Sequence, residues 1–490
     1  MYNEGDINPL HLIFKQMMHK KDLIEWSTIS LLLFLQLFSC SSGNNPDDNV
    51  EKKAPELVFS SPTNGATNWV TGETTLSLRF NQDITLTLPH NITLNGNDVI
   101  SASTSGKELK VNVNLKPGTI YSLTIPAGKV KGIYGLYASV VNISFKTEGK
   151  KEQVIKTNLV VPNPTKEVKN VYIFFRDNYG KTLISGTMAN VSWNINEAEW
   201  VYKHTGKYPA LNCFDFIFHH YSPNSWIDYN NTEIVENWWN NNGLVAAMWH
   251  WNVPANSGIG DAASFYYGPE PEKTLFDVSK ISDTNSTEYK LMIKDIDEVA
   301  GYLKLLKNKN IPVIWRPLHE AAGNTNSYPG GTAWFWWGAK GAGPFKALWK
   351  LMYERMTNIH QLNNLIWVWT TENNDPDWYP GDEYVDIIGR DIYNKTATSQ
   401  ILTEFDKLVE KYPDKIITLS ECGNVANITD QWNSGSKWSW FMPWYDFDRT
   451  VNTSSSAFLE TSHVHANIDW WKNALNNPIV LTRDEMPNLK

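Results

Sequence analysis

The chain has 490 residues, 42% of them hydrophobic and 19% charged, with a net charge of −9. That length exceeds what one hydrophobic core holds, so more than one folded unit is expected, and the composition excludes a disordered chain. No long Lys/Arg run is present, which excludes nucleic acid as a partner.

The first element is a leader. His19, Lys20 and Lys21 precede an apolar run from Ile29 to Phe38, about ten residues and too short to span a bilayer permanently. Cys40 follows directly, then a polar Ser/Gly/Asn/Asp stretch. "LFSC" before a polar tail resembles a bacterial lipoprotein signal. The resemblance implies a signal peptide over 1–39, starting alternatively at Met17 or Met18, and a lipid on Cys40 with a flexible tether over 40–53. Membrane attachment through lipidated Cys40 is expected, at the outer membrane of a Gram-negative cell. Cys213 and Cys422 lie in apolar runs and read as buried free thiols; three cysteines form no disulfide framework, and none has zinc-ligand spacing.

Residues 54–148 alternate apolar and polar positions in "TTLSLRF", "ELKVNVN", "IYSLTIPAG" and "VVNISFKT", separated by turn signals such as "KPGT". Short strands at this spacing predict a β-sandwich. The segment resembles bacterial immunoglobulin-like domains. It reads as a spacer; the alternative is a glycan-binding module, for which Trp69 is the single tryptophan available.

From residue 153 to 490 apolar strands alternate with amphipathic segments. After the lead-in "NVYIFF" eight strands are expected at 183–189, 210–216, 244–251, 312–320, 364–371, 385–393, 415–423 and 438–446. The clearest helices are 286–310 and 400–412, with apolar positions three and four apart. Eight such units predict a (β/α)8 TIM barrel, whose active residues sit at the C-terminal strand ends. Those ends carry His250, Trp251 and Asn252; Arg316, His319 and Glu320; Trp369, Glu372 and Asn373; Arg390, Asp391 and Tyr393; Glu421; and Trp440, Trp444 and Asp446. A capping salt bridge explains any one of them, but not six strands together.

Glu320 and Glu421 end strands four and seven. Two carboxylates facing one cleft are the machinery of glycoside hydrolysis, at about 5–5.5 Å for retention. No metal or organic cofactor is required. The chain has 23 Trp. Core packing explains most of them, while flat faces for stacking on pyranose rings suit the remainder. Glu320, beside His319 and ahead of the Trp-rich "WFWWG", has the desolvated setting of an acid. For Glu421, Arg316, His250 or Tyr393 are candidates to keep it ionised.

"WRPLHE", "WFWWG", "WVW", "DIIGRDIY" and "TLSECG" resemble glycoside hydrolase family 26, and within it the β-mannanases, over roughly residues 155–490. The resemblance implies that Glu320 is the acid/base and Glu421 the nucleophile. It implies substrate contacts for His250, Arg316, His319, Asp391 and Tyr393, and stacking by Trp334, with Trp444 as a further sugar platform. It implies β-mannan polysaccharides and oligosaccharides as substrates and a monomeric enzyme. Mixed-linkage β-glucan or β-1,3-xylan remain alternative substrates, and a non-catalytic surface glycan-binding protein is the alternative of a different class. The link "AAGNTNSYPGGTA" between Glu320 and "WFWWG" is longer than such mannanases have, which leaves endo or exo action open.

Overall fold

The structure is a computed structural model that describes residues 52–149, 153–323, 333–372 and 375–490. The leader, Cys40 and most of the long link after Glu320 lie outside these residues. The chain divides after Gly149 into two compact units.

The first unit is rich in strands. Leu57–Ser61, Gly72–Phe80, Glu108–Leu115 and Ser101–Ser105 form one antiparallel sheet, the last two as a hairpin. A second sheet is built around Val141–Thr147 and Ile120–Ile125. The alternation read from the sequence works as expected. Leu109, Val111, Val113 and Leu115 point inward while the residues between them are exposed. They meet Leu76, Leu78, Phe80, Leu123 and Phe145 in one core. Each such side chain, fully buried, contributes about 1.5–3 kcal/mol. Trp69 packs partly buried against that core, so its ring is occupied structurally.

The second unit is a closed parallel barrel. Its strands are β1 (Leu183–Met188), β2 (Leu211–Asp215), β3 (Leu244–Trp249), β4 (Val313–Pro317), β5 (Leu365–Thr371), β6 (Ile387–Tyr393), β7 (Ile416–Gly423) and β8 (Trp440–Pro443). Each pairs with the next, and β1 pairs with both β8 and β2, which closes the ring. All eight fall within the segments expected from the sequence. Nearly every strand residue is buried, because the core lies on one side and helices on the other. The lead-in "NVYIFF" is helical, inside α1 (Lys166–Asn178), with Val168, Val171, Tyr172 and Phe175 buried on one face.

The helix expected at 286–310 spans Thr287–Asn308. Ser286 caps it, accepting from the Tyr289 N–H at 3.0 Å. Met292, Ile296, Val299, Ala300, Leu303 and Leu306 form its buried stripe. The helix expected at 400–412 spans Thr398–Lys411 and buries Ile401, Phe405, Leu408 and Val409.

Most tryptophans are core residues. Trp249, Trp315, Trp336, Trp337, Trp349 and Trp367 are fully buried. The pair in "WFWWG" is held against the turn that follows Glu320. The Trp337 indole N–H donates to the His319 carbonyl at 3.0 Å. A Cβ on Gly338 would lie 1.8 Å from the Ala321 carbonyl oxygen, so only glycine permits that approach.

Candidate active site

The site forms where β2, β3, β4, β6 and β7 end. Its centre is Arg316, near the end of β4. Its Nη1 donates to Glu421 Oε2 at 3.0 Å, and its Nη2 forms an ion pair with Asp391. Its Nε donates to Thr370 Oγ1 at 2.9 Å, from the neighbouring strand β5. Burial disfavours the guanidinium charge, yet Asp391 and Glu421 outweigh it and hold Arg316 protonated beyond its ordinary range. One guanidinium fork therefore orients two carboxylates from two other strands.

A register shift aims Glu421. Between β6 and β7, Arg390 stands opposite Leu419, but Asp391 stands opposite Glu421, so Ser420 is the extra residue of a β-bulge. Neighbours on a regular strand point to opposite faces. Here Ser420 and Glu421 both reach one network: the Ser420 hydroxyl donates to Asp391 Oδ1 at 2.7 Å while Glu421 meets Arg316. The Tyr393 hydroxyl donates to the other oxygen of Glu421. Burial and the Glu421 charge push the Tyr393 hydroxyl far up, which keeps it a donor. Asp391 is also pushed up, first by burial and also by Glu421 and Glu320, against the pull of Arg316.

Glu320 follows β4 on a turn in which both Leu318 and Glu320 have positive φ, 51° and 48°. Such a conformation costs a non-glycine residue about 1–3 kcal/mol. The turn carries the Glu320 carboxylate to within 4.8 Å of both Asp391 and Glu372, where it is only 6% exposed. His319 is buried beside it. Its ring meets His250 edge-on at 4.6 Å and Phe335 at 5.1 Å.

His250 makes no hydrogen bond or ion pair with Glu421, one of the roles expected for it. It belongs to Asp215 instead. The His250 Nδ1 lies 2.6 Å from Asp215 Oδ2, and the His250 backbone N–H donates to Asp215 Oδ1 at 3.0 Å. A carboxylate only accepts, so Nδ1 carries the proton and Nε2 is left toward the ring cluster. Trp444 joins that cluster, 5.6 Å from His250. Trp334 lies at the rim, half-buried over Gly323, its carbonyl accepting from the Tyr267 N–H at 2.7 Å.

Glu320, Glu421, Arg316, His319, His250, Asp391, Tyr393 and Trp444 are thus gathered at one end of the barrel. Other strand-end residues are not: Trp251 donates to Asp295 at 2.8 Å, Asn252 donates to the Ile217 carbonyl at 2.7 Å, and Asn373 lies outside the described residues. Trp369 packs on Tyr379 and Tyr412, and Trp440 on Phe175. Asp446 caps a short helix, accepting from Arg449 N–H, and also accepts from Val464 N–H. Their aromatic or acidic character serves packing and capping. Sequence reading missed Asp215, although an acid ends "CFD" on β2, and missed Thr370 and Ser420, which carry no signal of their own. Cys213 and Cys422 are buried free thiols, and burial pushes both thiols up so that they stay protonated.

Comparison with known proteins gives the family of both units. Residues 160–474 match the model of glycosyl hydrolase family 26, and residues 51–147 match that of the bacterial Ig-like domain. A mannan endo-1,4-β-mannosidase from Thermothelomyces thermophilus is 36% identical over 317 residues, 63% of this chain and 62% of the relative. A mannan endo-1,4-β-mannosidase from Piromyces is 34% identical, over 68% of this chain and 54% of the relative. The chain therefore spans only about half to three-fifths of the length of these curated relatives. The crystal structure of the family 26 domain of an endo-β-mannanase/endo-β-glucanase from Prevotella bryantii is 37% identical. It covers 68% of this chain and 99% of that one, with a TM-score of 0.60. A β-mannanase from a symbiotic protist of the termite Reticulitermes speratus, complexed with a gluco-manno-oligosaccharide, is 32% identical, covering 69% and 100%, with a TM-score of 0.57. With the family model covering most of the chain, the protein belongs to glycosyl hydrolase family 26.

Proposed function

We propose that the protein is a retaining, endo-acting β-1,4-mannanase that cuts mannan, glucomannan or galactomannan. The observation that carries this reading is that Asp391 stands between the two glutamates: Arg316 joins it to Glu421, which Tyr393 also holds, and its carboxyl lies within 4.8 Å of that of Glu320. Relatives named as mannanases supply the substrate class.

In this reading Glu421 attacks the anomeric carbon as the glycosidic C–O bond breaks, and Glu320 gives its proton to the leaving oxygen. A water then attacks the glycosyl-enzyme, Glu320 takes the proton of that water, and Glu421 is released with net retention. Arg316 and Tyr393 hold Glu421 in line. His250, His319, Trp334 and Trp444 bound the sugar. The chain acts as a monomer, anchored by lipid on Cys40 at the outer membrane of a Gram-negative cell, with the immunoglobulin-like domain as spacer.

The test is product analysis with the purified protein on galactomannan and glucomannan. Mixed oligosaccharides support endo action; a single short product replaces it with exo action. Hydrolysis of mixed-linkage β-glucan or β-1,3-xylan, with none of any β-mannan, would falsify the substrate assignment. Binding of mannan without release of reducing ends defeats the enzyme reading altogether. For the anchor, Cys40→Ala should move the protein from membranes to the soluble fraction; unchanged membrane recovery contradicts it.

A further inference from the structure

Glu372, one residue beyond β5, has no part in the mechanism above, yet it sits against it. One oxygen each from Glu320, Glu372 and Asp391 lie within 4.8 Å of one another, and Glu372 is largely buried. Arg390 Nη1 donates to Glu372 Oε2 at 3.1 Å and to the Thr371 carbonyl at 3.0 Å. The Arg390 Nη2 pairs with Glu404 at 3.2 Å, and Glu404 also takes Lys395 at 2.6 Å. The Glu372 backbone N–H donates to Asp375 Oδ2 at 2.6 Å, which fixes the start of the side chain. Glu372 is thus built in, not left at the rim.

Two guanidinium groups are divided among four carboxyls: Arg316 between Asp391 and Glu421, Arg390 between Glu372 and Glu404. Glu320 brings a fifth. Like charges this close in a buried setting do not all ionise, so a proton is retained among them. Burial pushes Asp391 up as well, but both of its oxygens accept, one from Arg316 and one from the Ser420 hydroxyl, whereas Arg390 meets Glu372 through Oε2, which leaves Glu320 and Glu372 as the places for that proton.

We propose that Glu372 is a positioning residue that shares one proton with Glu320 and so keeps Glu320 able to donate at higher pH than it would alone. This rests on the assignment of Glu320 as acid/base. The groups around the pair are consistent. Burial pushes the Glu372 carboxyl up to about 8, with Arg390 pulling it down and Asp391 and Asp375 pushing it up. Asp375 itself is pushed up to about 6, chiefly by burial. Tyr393, also beside Glu320, stays protonated.

The sign follows. Glycosylation needs a protonated Glu320, so kcat/KM falls on the alkaline side when the last proton leaves the pair. Removing Glu372 removes the shared site, and that proton leaves at lower pH. The experiment is kcat/KM against pH for the wild-type protein, Glu372→Gln and Glu372→Asp, on whichever β-glycan the wild type cleaves. A second substrate carries a dinitrophenyl leaving group, which departs without a proton. Glu372→Gln should move the alkaline limb down by about one pH unit on the oligosaccharide, and leave the dinitrophenyl profile in place. Glu372→Asp should restore part of the limb. An unchanged limb in Glu372→Gln, or an equal loss on both substrates, overturns the inference and leaves the mannanase reading standing. A wild-type protein that cleaves no β-glycan defeats both.

Discussion

Asp215, the last residue of β2, grips His250, one residue past β3, at two points: the imidazole Nδ1 at 2.6 Å and the backbone N–H at 3.0 Å. The contact sets both the ring orientation and the tautomer. Asp215→Asn places an amide N–H against Nδ1 and so moves the ring proton to Nε2. The expected result is a fall in kcat/KM of at least about 10-fold with little change in melting temperature. Wild-type kinetics in Asp215→Asn would show that the tautomer is immaterial.

Arg316 is a different case, because it is buried between two acids. Arg316→Met leaves Glu421 and Asp391 buried without their cation. A loss of about 3–5 kcal/mol of stability is expected, together with loss of activity. Arg316→Lys keeps the charge but not the fork, and should retain more stability than activity. Denaturant midpoints and kcat/KM, measured on both variants, separate the two effects. A fully active Arg316→Lys would mean that the fork geometry is unimportant.

The two glutamates are distinguished by rescue chemistry. Glu421→Ala should lose roughly 10^4-fold or more in turnover. With an activated aryl mannoside, azide then attacks the anomeric carbon directly and yields the inverted α-azide. Glu320→Ala still forms the glycosyl-enzyme from that substrate, and azide attacks it from the opposite face to give the β-azide. Identification of the two azides by NMR checks the roles. The opposite pairing of variant and product would exchange them.

Gly423 ends β7 where two rings converge. A Cβ there would lie 2.4 Å from the His465 ring and 2.8 Å from the Tyr393 ring. Gly423→Ala should therefore push Tyr393 off Glu421, lowering both melting temperature and kcat. Tyr393→Phe should lower kcat with a smaller thermal effect, since it removes only the hydroxyl. Equal thermal losses in the two variants would argue against this packing role.

Much of the barrel was legible in local pattern. The strands from Leu183 to Pro443 are continuous apolar runs, because both faces of a parallel barrel strand are buried. The helix at Thr287–Asn308 announces itself by spacing and by its Ser286 cap. Glu320 and Glu421 were found because ionisable groups rarely end such strands without reason. Trp369, Trp440 and Asp446 show the limit of that rule. Polar and aromatic residues at strand ends also pack helices and cap turns, and sequence position does not distinguish the two uses.

The sequence by itself determined the two folded units, the order of the eight strands and the two glutamates proposed as catalytic. Those follow from periodicity, from burial and from residue type. Only the tertiary structure decided who holds whom. Closure of the ring brings Asp215 to His250 and Arg316 to both Asp391 and Glu421. The bulge at Ser420 turns Glu421 opposite Asp391, and the left-handed turn at Glu320 carries its carboxylate to Glu372 and Asp391. These are contacts between residues far apart in the chain, set by strand register and backbone twist. No local pattern encodes them.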